Sequence, residues 1–263
     1  MKKIVLRAAV EFVLVAGLMA AVAGTVGAAV IYEDQFDPGS EDDWQPLSNV
    51  FVDDWQNWTT VPAPEGGDKV LVITETNHFY AIAKELQDLT DVEVTVLWLD
   101  VEIEDDIGRD ADFGIELRVQ PIPDDPDAER TECYGLEHDG DENDANNVGD
   151  PPTHFHLCAR GAIDPETGQT ATVVLGKATP DVVPRPTGHV WYWMKFKLVG
   201  NHLYGKTWQH GTDEPAKYQL EGEDPDNNFP AGAVGLSTWS GTALVALIRV
   251  ETVEAPVAEW SLY

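Results

Sequence analysis

Cysteine and basic residues are scarce in this chain. Its 263 residues include 2 Cys, and 16 Lys and Arg stand against 47 Asp and Glu, which gives a formal net charge of −31 at pH 7. Two cysteines exclude the dense disulfide framework of small secreted scaffolds. A surface this acidic repels nucleic acid, so we expect no nucleic-acid partner. It favours cations, although solubility outside the cell or life in salty water explains the same charge.

Catalytic motifs are also missing. The sequence has no G-x-S-x-G elbow, no H-E-x-x-H zinc motif and no phosphate-binding loop of the Walker type. It therefore gives no sign of the enzyme classes that these motifs define. Paired carboxylates that meet only in the fold leave no such motif, so glycan hydrolysis stays open as an alternative.

Long apolar runs are limited to one segment near the N-terminus. Residues 12–23 are apolar and follow a short, positively charged stretch. At about 12 residues, this run is shorter than the roughly 20 that span a membrane. The small residues after it suit signal peptidase, with cleavage after Ala28 or Ala29. We expect residues 1–29 to be a signal peptide and residues 30–263 to be one secreted, periplasmic or cell-surface domain with no stable membrane span.

The rest of the chain shows the pattern of β-strands. Along Phe113–Val119 every second residue is apolar, which predicts a half-buried strand. Residues 92–103 are apolar on both faces through their middle, which predicts a central strand covered on both sides. Loops rich in Pro and Asp separate many such short segments, because Pro does not donate to a strand ladder. The sequence therefore predicts an all-β fold, a two-sheet antiparallel jelly-roll sandwich.

Two hairpins are predicted in the C-terminal half. Trp191–Val199 alternates between apolar and other residues, and a Gly-Asn turn at Gly200 leads into a partner strand at residues 202–208. Residues 233–239 and 242–253 are expected to form a second hairpin around a Ser-Gly turn.

The two cysteines lie in the arms of a third predicted hairpin. If His138 opposes Thr153, antiparallel counting places Cys133 directly opposite Cys158. Opposed residues lie about 4.5–5.5 Å apart at Cα, which a disulfide can bridge. We therefore predict one disulfide, between Cys133 and Cys158, with two separate buried thiols as the alternative.

An acidic loop joins the arms of that hairpin. Four oxygen-bearing residues stand at positions one, three, five and twelve of the loop, the spacing of EF-hand-type calcium loops. They are Asp139, Asp141, Asn143 and Asp150. Position six carries Asp144 where such loops place Gly, and the flanks are strands. The spacing predicts a calcium site, with a solvated acidic loop as the alternative.

Two histidines follow the loop. Alternation places His154 and His156 on one strand face with Cys158. Glu137 is expected nearby on the other arm of the hairpin. Two imidazoles and a carboxylate are zinc ligands, although spaced histidines on a polar strand face are also ordinary surface residues.

Tryptophan is abundant, with 9 in the chain. Trp191 and Trp193 project from the strand face opposite the expected core. Trp208 and Trp239 lie on neighbouring predicted strands. A row of Trp on an open sheet face stacks on sugar rings, since both are flat and apolar on one side. Core filling is the alternative, because Trp contributes strongly to burial.

The order of segments resembles a known superfamily. Tyr32-Glu-Asp-Gln-Phe36, Trp193-Met-Lys-Phe-Lys-Leu-Val-Gly200 and Ala231-Gly-Ala-Val-Gly-Leu236 are similar to segments of concanavalin A-like lectin/glucanase jelly rolls. The resemblance is in particular to LamG-like and 3-keto-disaccharide hydrolase-like domains of exported bacterial proteins. It implies a two-sheet sandwich whose curved face often binds carbohydrate.

The same resemblance bears on metal binding and catalysis. It implies a structural calcium between the N-terminal segment, here Glu33 and Asp34, and an Asp-containing final strand. Arg249 stands near the position expected of that Asp. The E-x-D-x-x-E strand motif of the retaining glucanases is missing, which favours a non-catalytic relative.

Together these observations give one leading hypothesis and two alternatives. We expect an exported, non-catalytic jelly-roll module that binds carbohydrate or a cell-surface partner. A glycan hydrolase of the concanavalin A-like class is the first alternative. A calcium-stabilised structural or adhesive surface protein is the second. The ligand and the oligomeric state stay open.

Overall fold

The computed structural model describes residues 28–46, 50–59, 61, 64, 68–75, 79–83, 86–101, 113–120, 132–138, 155–163, 168, 170–178, 182–183, 186, 188–238 and 241–253. Strands dominate these residues, with two short 3₁₀ turns at Ser40–Asp43 and Trp55–Asn57. The strands are β1 (Val30–Asp34), β2 (Trp44–Pro46), β3 (Val50–Asp54), β4 (Lys69–Glu75), β5 (Phe79–Ala83), β6 (Val92–Asp100), β7 (Phe113–Val119), β8 (Cys133–His138), β9 (Phe155–Ile163), β10 (Thr170–Ala178), β11 (Trp191–Val199), β12 (His202–Gln209), β13 (Leu220–Glu223), β14 (Ala233–Thr238) and β15 (Gly241–Thr252).

The strands form two antiparallel sheets. The eight-stranded sheet has the order β13-β12-β11-β6-β15-β4-β3, and β1 pairs with β15. The seven-stranded sheet has the order β10-β9-β8-β7-β14-β5-β2. The predicted two-sheet antiparallel jelly-roll sandwich is confirmed. Within the described part of the chain, no helix has the length and apolarity needed to cross a membrane.

The main core lies between the two sheets. From the eight-stranded sheet, β11 contributes Tyr192, Met194, Phe196 and Leu198, which share one face of its alternating pattern. From the seven-stranded sheet, β7 contributes Phe113, whose ring stacks on that of Trp98 at a centroid distance of 4.7 Å. Each fully buried side chain of this size stabilises the fold by about 1.5–3 kcal/mol.

A second apolar cluster covers the outer side of the eight-stranded sheet. Leu97 and Leu99 of β6 pack there with Trp191 and with Trp55 from a 3₁₀ turn. That turn begins at Asp54, whose carboxylate accepts a hydrogen bond from the backbone N–H of Gln56, as a helix N-cap does. Strand β6 is therefore central and covered on both faces, as predicted.

The predicted C-terminal hairpin is wrong. Both strands form, but β14 pairs with β7 and β5 in one sheet, whereas β15 pairs with β6, β4 and β1 in the other. The chain crosses between the sheets where a hairpin turn was expected. Alternation tells which face of a strand is apolar, and an apolar face packs against the core equally well from either sheet.

The predicted register of the third hairpin is also wrong. β8 and β9 pair as expected, but Cys133 lies opposite Arg160, and Cys158 lies opposite Gly135. A slip of two residues keeps every side chain on its face, so the hydrophobic pattern does not distinguish the two registers. Cys133 and Cys158 carry separate buried thiols, and the predicted disulfide between them does not form in this structure.

Candidate functional site

Two polar regions of the sandwich bring chemically useful side chains together. The first lies on the outer face of β11 and β12, where Trp193 is directly opposite Trp208. Their rings stack with centroids 6.1 Å apart and planes inclined by 20°, and both are half-buried. The ring of His210 lies 6.0 Å from that of Trp193. We call Trp193, Trp208, His210, Lys195, Lys206 and Glu214 the tryptophan surface.

A charged network borders the two rings. Lys195 and Lys206 are directly opposite each other, and both contact the same oxygen of Glu214, at 2.8 and 2.6 Å. Lys195 also lies 3.4 Å from Glu93. The two ammonium groups stand 6.0 and 5.9 Å from the centroid of the Trp208 ring, within range of a cation–π interaction.

Ion pairs shift the pKa values of two groups of this network, Glu214 and Lys195. Burial alone would raise the pKa of Glu214, but hydrogen bonds from Lys195 and Lys206 outweigh it and lower that pKa. Burial alone would lower the pKa of Lys195, but Glu214 and Glu93 outweigh it and raise that pKa. Lys195 and Glu214 are therefore charged at neutral pH, and they flank an aromatic surface with polar groups of both signs.

Trp191, a third candidate tryptophan, does not join this surface. Trp191 is 5% exposed and packs in the second apolar cluster, so for this residue the core alternative is the one that the structure supports. Trp239 lies outside the described residues. Among the candidate tryptophans that the structure describes, Trp193 and Trp208 are thus the two that present aromatic area to solvent.

The second region lies on the outer face of the seven-stranded sheet. We call Glu116, Cys133, Glu137, His156, Cys158 and Arg160 the acid–thiol cluster. Glu116 of β7 is opposite Gly135 of β8, and Glu137 of β8 is opposite Gly114 of β7. A Cβ on Gly135 would lie only 3.0 Å from Glu116 Oε2 and closer still to Glu137 Oε1. The two glycines therefore make room for a pair of converging carboxylates.

Glu116 is held entirely by buried partners. It has no exposed surface, and it accepts hydrogen bonds from Ser237 Oγ at 2.7 Å and from Cys133 Sγ at 3.1 Å. Arg160 Nε lies 3.9 Å away. Burial, followed by repulsion from Glu137, raises the pKa of Glu116 to about 7.

Glu137 has the opposite electrostatic environment. Its Oε1 accepts from Arg160 Nε at 2.8 Å and from Cys158 Sγ at 3.2 Å, and its Oε2 lies 3.2 Å from His156 Nε2. Burial alone would raise the pKa of Glu137, but Arg160 and His156 outweigh it and hold that pKa well below its usual range. Burial also raises the pKa of both thiols, Cys133 and Cys158, so they are protonated donors at neutral pH.

This cluster contains residue types that bind metals. Glu137, His156 and Cys158 each offer one ligand atom, and these atoms lie within 4.8 Å of one another. His154, the other histidine of the zinc interpretation, lies outside the described residues, and Cys158 stands in the set with His156 and Glu137.

The predicted calcium ligands have two different outcomes. Asp139, Asp141, Asn143 and Asp150 lie outside the described residues, so their spacing remains a prediction. Glu33, an implied ligand of the second site, is directly opposite Arg249, whose Nε donates to it at 2.6 Å. Asp34 accepts from the Phe36 backbone N–H at 2.7 Å and from Ser40 Oγ at 3.2 Å. Protein donors therefore engage both of these acids.

Sequence reasoning missed Glu116, Arg160, Lys206 and Glu214. Glu116 stands at a polar position of the alternating β7 segment, where a solvated acid is ordinary. The available signal was the repeated Gly-x-Glu of β7 and β8, at Gly114 and Gly135, because glycine inside a strand often marks a close approach. Glu214 comes from a loop, and no pattern in the sequence links it to β11.

Comparison with known proteins identifies solved structures that have a similar fold. No family model matches the chain, and no curated protein matches it. Among solved structures, a Bacillus subtilis protein of unknown function with a galectin-like fold is 13% identical, with 86% of this chain and 98% of that chain covered and a TM-score of 0.54. The Ca²⁺-bound exoplasmic/lumenal domain of VIP36 is 12% identical, with 90% and 97% covered and a TM-score of 0.54.

A third similar structure is the legume lectin-like domain from Entamoeba histolytica. It is 12% identical, with 88% of this chain and 100% of that chain covered and a TM-score of 0.51. The similarity extends over nearly the full length of each of these domains. The chain therefore has the lectin-like jelly-roll fold of the concanavalin A type.

Proposed function

We propose that this protein is an exported, non-catalytic module that binds carbohydrate on the tryptophan surface. The observation that carries the proposal is the directly opposed pair of Trp193 and Trp208, which is half-buried and bordered by charged groups. Sugar rings bind to such surfaces because an aromatic ring covers their apolar face while nearby polar groups bond to their hydroxyls. Lys195 and Glu214 supply a donor and an acceptor beside the rings, and the buried Lys206 holds Glu214 in place.

The fold supports a carbohydrate ligand by analogy. Forms of the VIP36 domain bound to Man and to Man3GlcNAc have TM-scores of 0.50 and 0.51 against this chain. Fold alone does not determine function, so the proposal depends on the tryptophan surface. We propose that the chain is related to the LamG-like or 3-keto-disaccharide hydrolase-like domains, on the motifs of residues 193–200 and 231–236.

A glycan array tests this proposal. Folded protein in calcium-containing buffer is expected to bind a defined set of glycans, and Trp208→Ala is expected to lose that binding. Trp58→Ala is the matched control, because Trp58 is also half-buried and packs against the same second apolar cluster as Trp193, but it is not a member of the stacked Trp193–Trp208 pair. No bound glycan, or equal loss in both variants, would argue for a surface partner or a structural role.

Export and domain organisation form part of the same proposal. The protein is exported by a signal peptide at residues 1–29 and functions as the single domain 30–263 in the periplasm or outside the cell. Mass spectrometry of the exported protein is expected to find an N-terminus at Ala29 or Val30. An intact N-terminus at Met1 in the membrane fraction would contradict cleavage.

The second candidate function is glycan hydrolysis by Glu116 and Glu137. The opposite pKa shifts of these two carboxyls are the pattern of an acid and a base. Glu116 has no exposed surface, however, and its Ser237 and Cys133 contacts occupy both of its oxygens. This favours binding over hydrolysis. Release of reducing sugar from a polysaccharide panel by the wild type, and its loss in Glu137→Gln, would favour hydrolysis over binding.

A further inference from the structure

We propose that Glu137, His156 and Cys158 form a zinc site on the outer face of the seven-stranded sheet. The site is independent of the carbohydrate proposal, because it lies on the other sheet from the tryptophan surface. Zinc is bound in proteins by carboxylate oxygen, imidazole nitrogen and thiolate sulfur, and these three side chains supply one of each.

The strand register brings the three ligands together. Glu137 and His156 are a directly opposed pair of the β8–β9 ladder, and Cys158 follows His156 by two residues on the same face. Glu137 Oε2 lies 3.2 Å from His156 Nε2, and Glu137 Oε1 lies 3.2 Å from Cys158 Sγ. Because both strands are inside the sheet, the backbone holds this arrangement before any ion binds.

The distances suit a small ion. Zinc lies about 2.0–2.3 Å from its nitrogen, oxygen and sulfur ligands. The three ligand atoms are within 4.8 Å of one another, so side-chain rotation alone brings them around one ion. Binding replaces the proton of the Cys158 thiol, which goes to solvent, and the neutral imidazole of His156 donates its lone pair. Three protein ligands leave a fourth position for water.

The surroundings support the ligands. Glu137 Oε1 is held by Arg160, which leaves Oε2 on the side of His156. A Cβ on Gly135 would collide with Glu137 Oε1 and come within 3.0 Å of Cys158 Sγ, so glycine leaves space for these atoms in their present positions. Burial keeps the free Cys158 thiol protonated, and the positive charge of Arg160 offsets part of that cost when zinc displaces the proton.

The preference for zinc over calcium follows from the ligand types. Calcium takes 6–8 oxygen ligands, and this cluster offers sulfur and nitrogen in two of its three positions. A borderline-soft divalent cation is the species that accepts such a set. Near-complete burial of Glu137 and Cys158 then shields the thiolate from oxidation.

Cobalt substitution tests the site directly. The reduced, metal-free mature protein is titrated with Co²⁺, whose bond to a thiolate gives a charge-transfer band in the near ultraviolet. We expect one equivalent to bind with this band, and Zn²⁺ to displace it. Cys158→Ser is expected to abolish the band, and His156→Ala to raise the Kd by about tenfold or more.

Two control variants separate the site from general effects. Cys133→Ser removes the other thiol of the cluster, and His202→Ala removes an exposed histidine of the other sheet. Both variants are expected to keep the band. Should Cys158→Ser fail to fold, wild-type protein gives the same answer, since Zn²⁺ binding is expected to release the thiol proton of Cys158 into a weakly buffered solution. Absence of the band, its dependence on Cys133, or a Cys133–Cys158 disulfide in the exported protein would overturn the proposal.

Discussion

Glu116 and Glu137 lie diagonally across the β7–β8 ladder, and each is directly opposite a glycine of the other strand. Two buried carboxylates this close repel each other when both are ionised. Arg160 contacts Glu137 at 2.8 Å but lies 3.9 Å from Glu116, so the proton of the pair resides on Glu116.

This arrangement predicts a pH dependence of stability. The pKa of Glu116 is 4.5 in its ordinary state and about 7 in the fold. Because this pKa is raised, the contribution of Glu116 to the free energy of unfolding is fully present below pH 4.5 and is lost as the pH rises through 7. The loss amounts to about 3 kcal/mol. Urea unfolding of metal-free protein between pH 4.5 and 8 measures it.

Glu116→Gln supplies the comparison for that measurement. Gln keeps the shape of the protonated acid and does not titrate. We expect the free energy of unfolding of wild type to fall relative to the variant as the pH rises from 4.5 to 8. Parallel curves for the two proteins would show that Glu116 titrates normally.

A second prediction contrasts a buried with an exposed arginine. Arg118 is 3% exposed and donates to the carbonyl oxygens of Thr90 and Phe229, at 2.9 and 2.8 Å. Arg118→Met is expected to lower the free energy of unfolding by about 3 kcal/mol, because those buried acceptors lose their partner. Arg249→Met, which breaks the exposed pair with Glu33, is expected to cost less than about 1 kcal/mol. Equal losses by urea unfolding would contradict this account.

Calcium binding by the acidic loop is a third prediction. A ligand at 100 times its Kd stabilises the fold by about 2.7 kcal/mol. For a domain of this size, that raises the Tm by about 5–10 °C. A thermal melt with calcium and with chelator is expected to show this rise, and Asp139→Ala with Asp141→Ala is expected to abolish it. Identical melts of the wild type in calcium and in chelator would leave the loop as a solvated acidic segment.

The β11–β12 hairpin was accessible from sequence because two signals agree there. Every second residue from Tyr192 to Leu198 is apolar and defines the core face, and the Gly-Asn turn at Gly200 fixes the register, which makes Trp193 and Trp208 partners. The pairing of β14 and β15 was not accessible, since their patterns fit either sheet. The predicted β8–β9 register was wrong because the long connection between these strands does not fix their register, and a slip of two residues leaves the hydrophobic pattern unchanged.

The candidate site was accessible in part for the same reason. Local spacing identified Trp193, Trp208, His156 and Cys158, because alternation assigns side chains to faces. Glu116 meets Glu137 only through the β7–β8 pairing, and a loop between β12 and β13 carries Glu214 to its lysines. Contacts between segments that are distant in sequence depend on sheet order, which a strand pattern does not contain.

Isothermal titration of the best glycan from the array tests the central claim most directly. Wild type, Trp193→Ala, Trp208→Ala and Trp58→Ala would be compared at one pH and calcium concentration. We predict that each of the first two variants raises the Kd by about tenfold or more, because a tryptophan central to an interface contributes about 2 kcal/mol. Trp58→Ala is predicted to bind as wild type does. An unchanged Kd in both Trp193→Ala and Trp208→Ala would contradict the assignment of carbohydrate binding to the tryptophan surface.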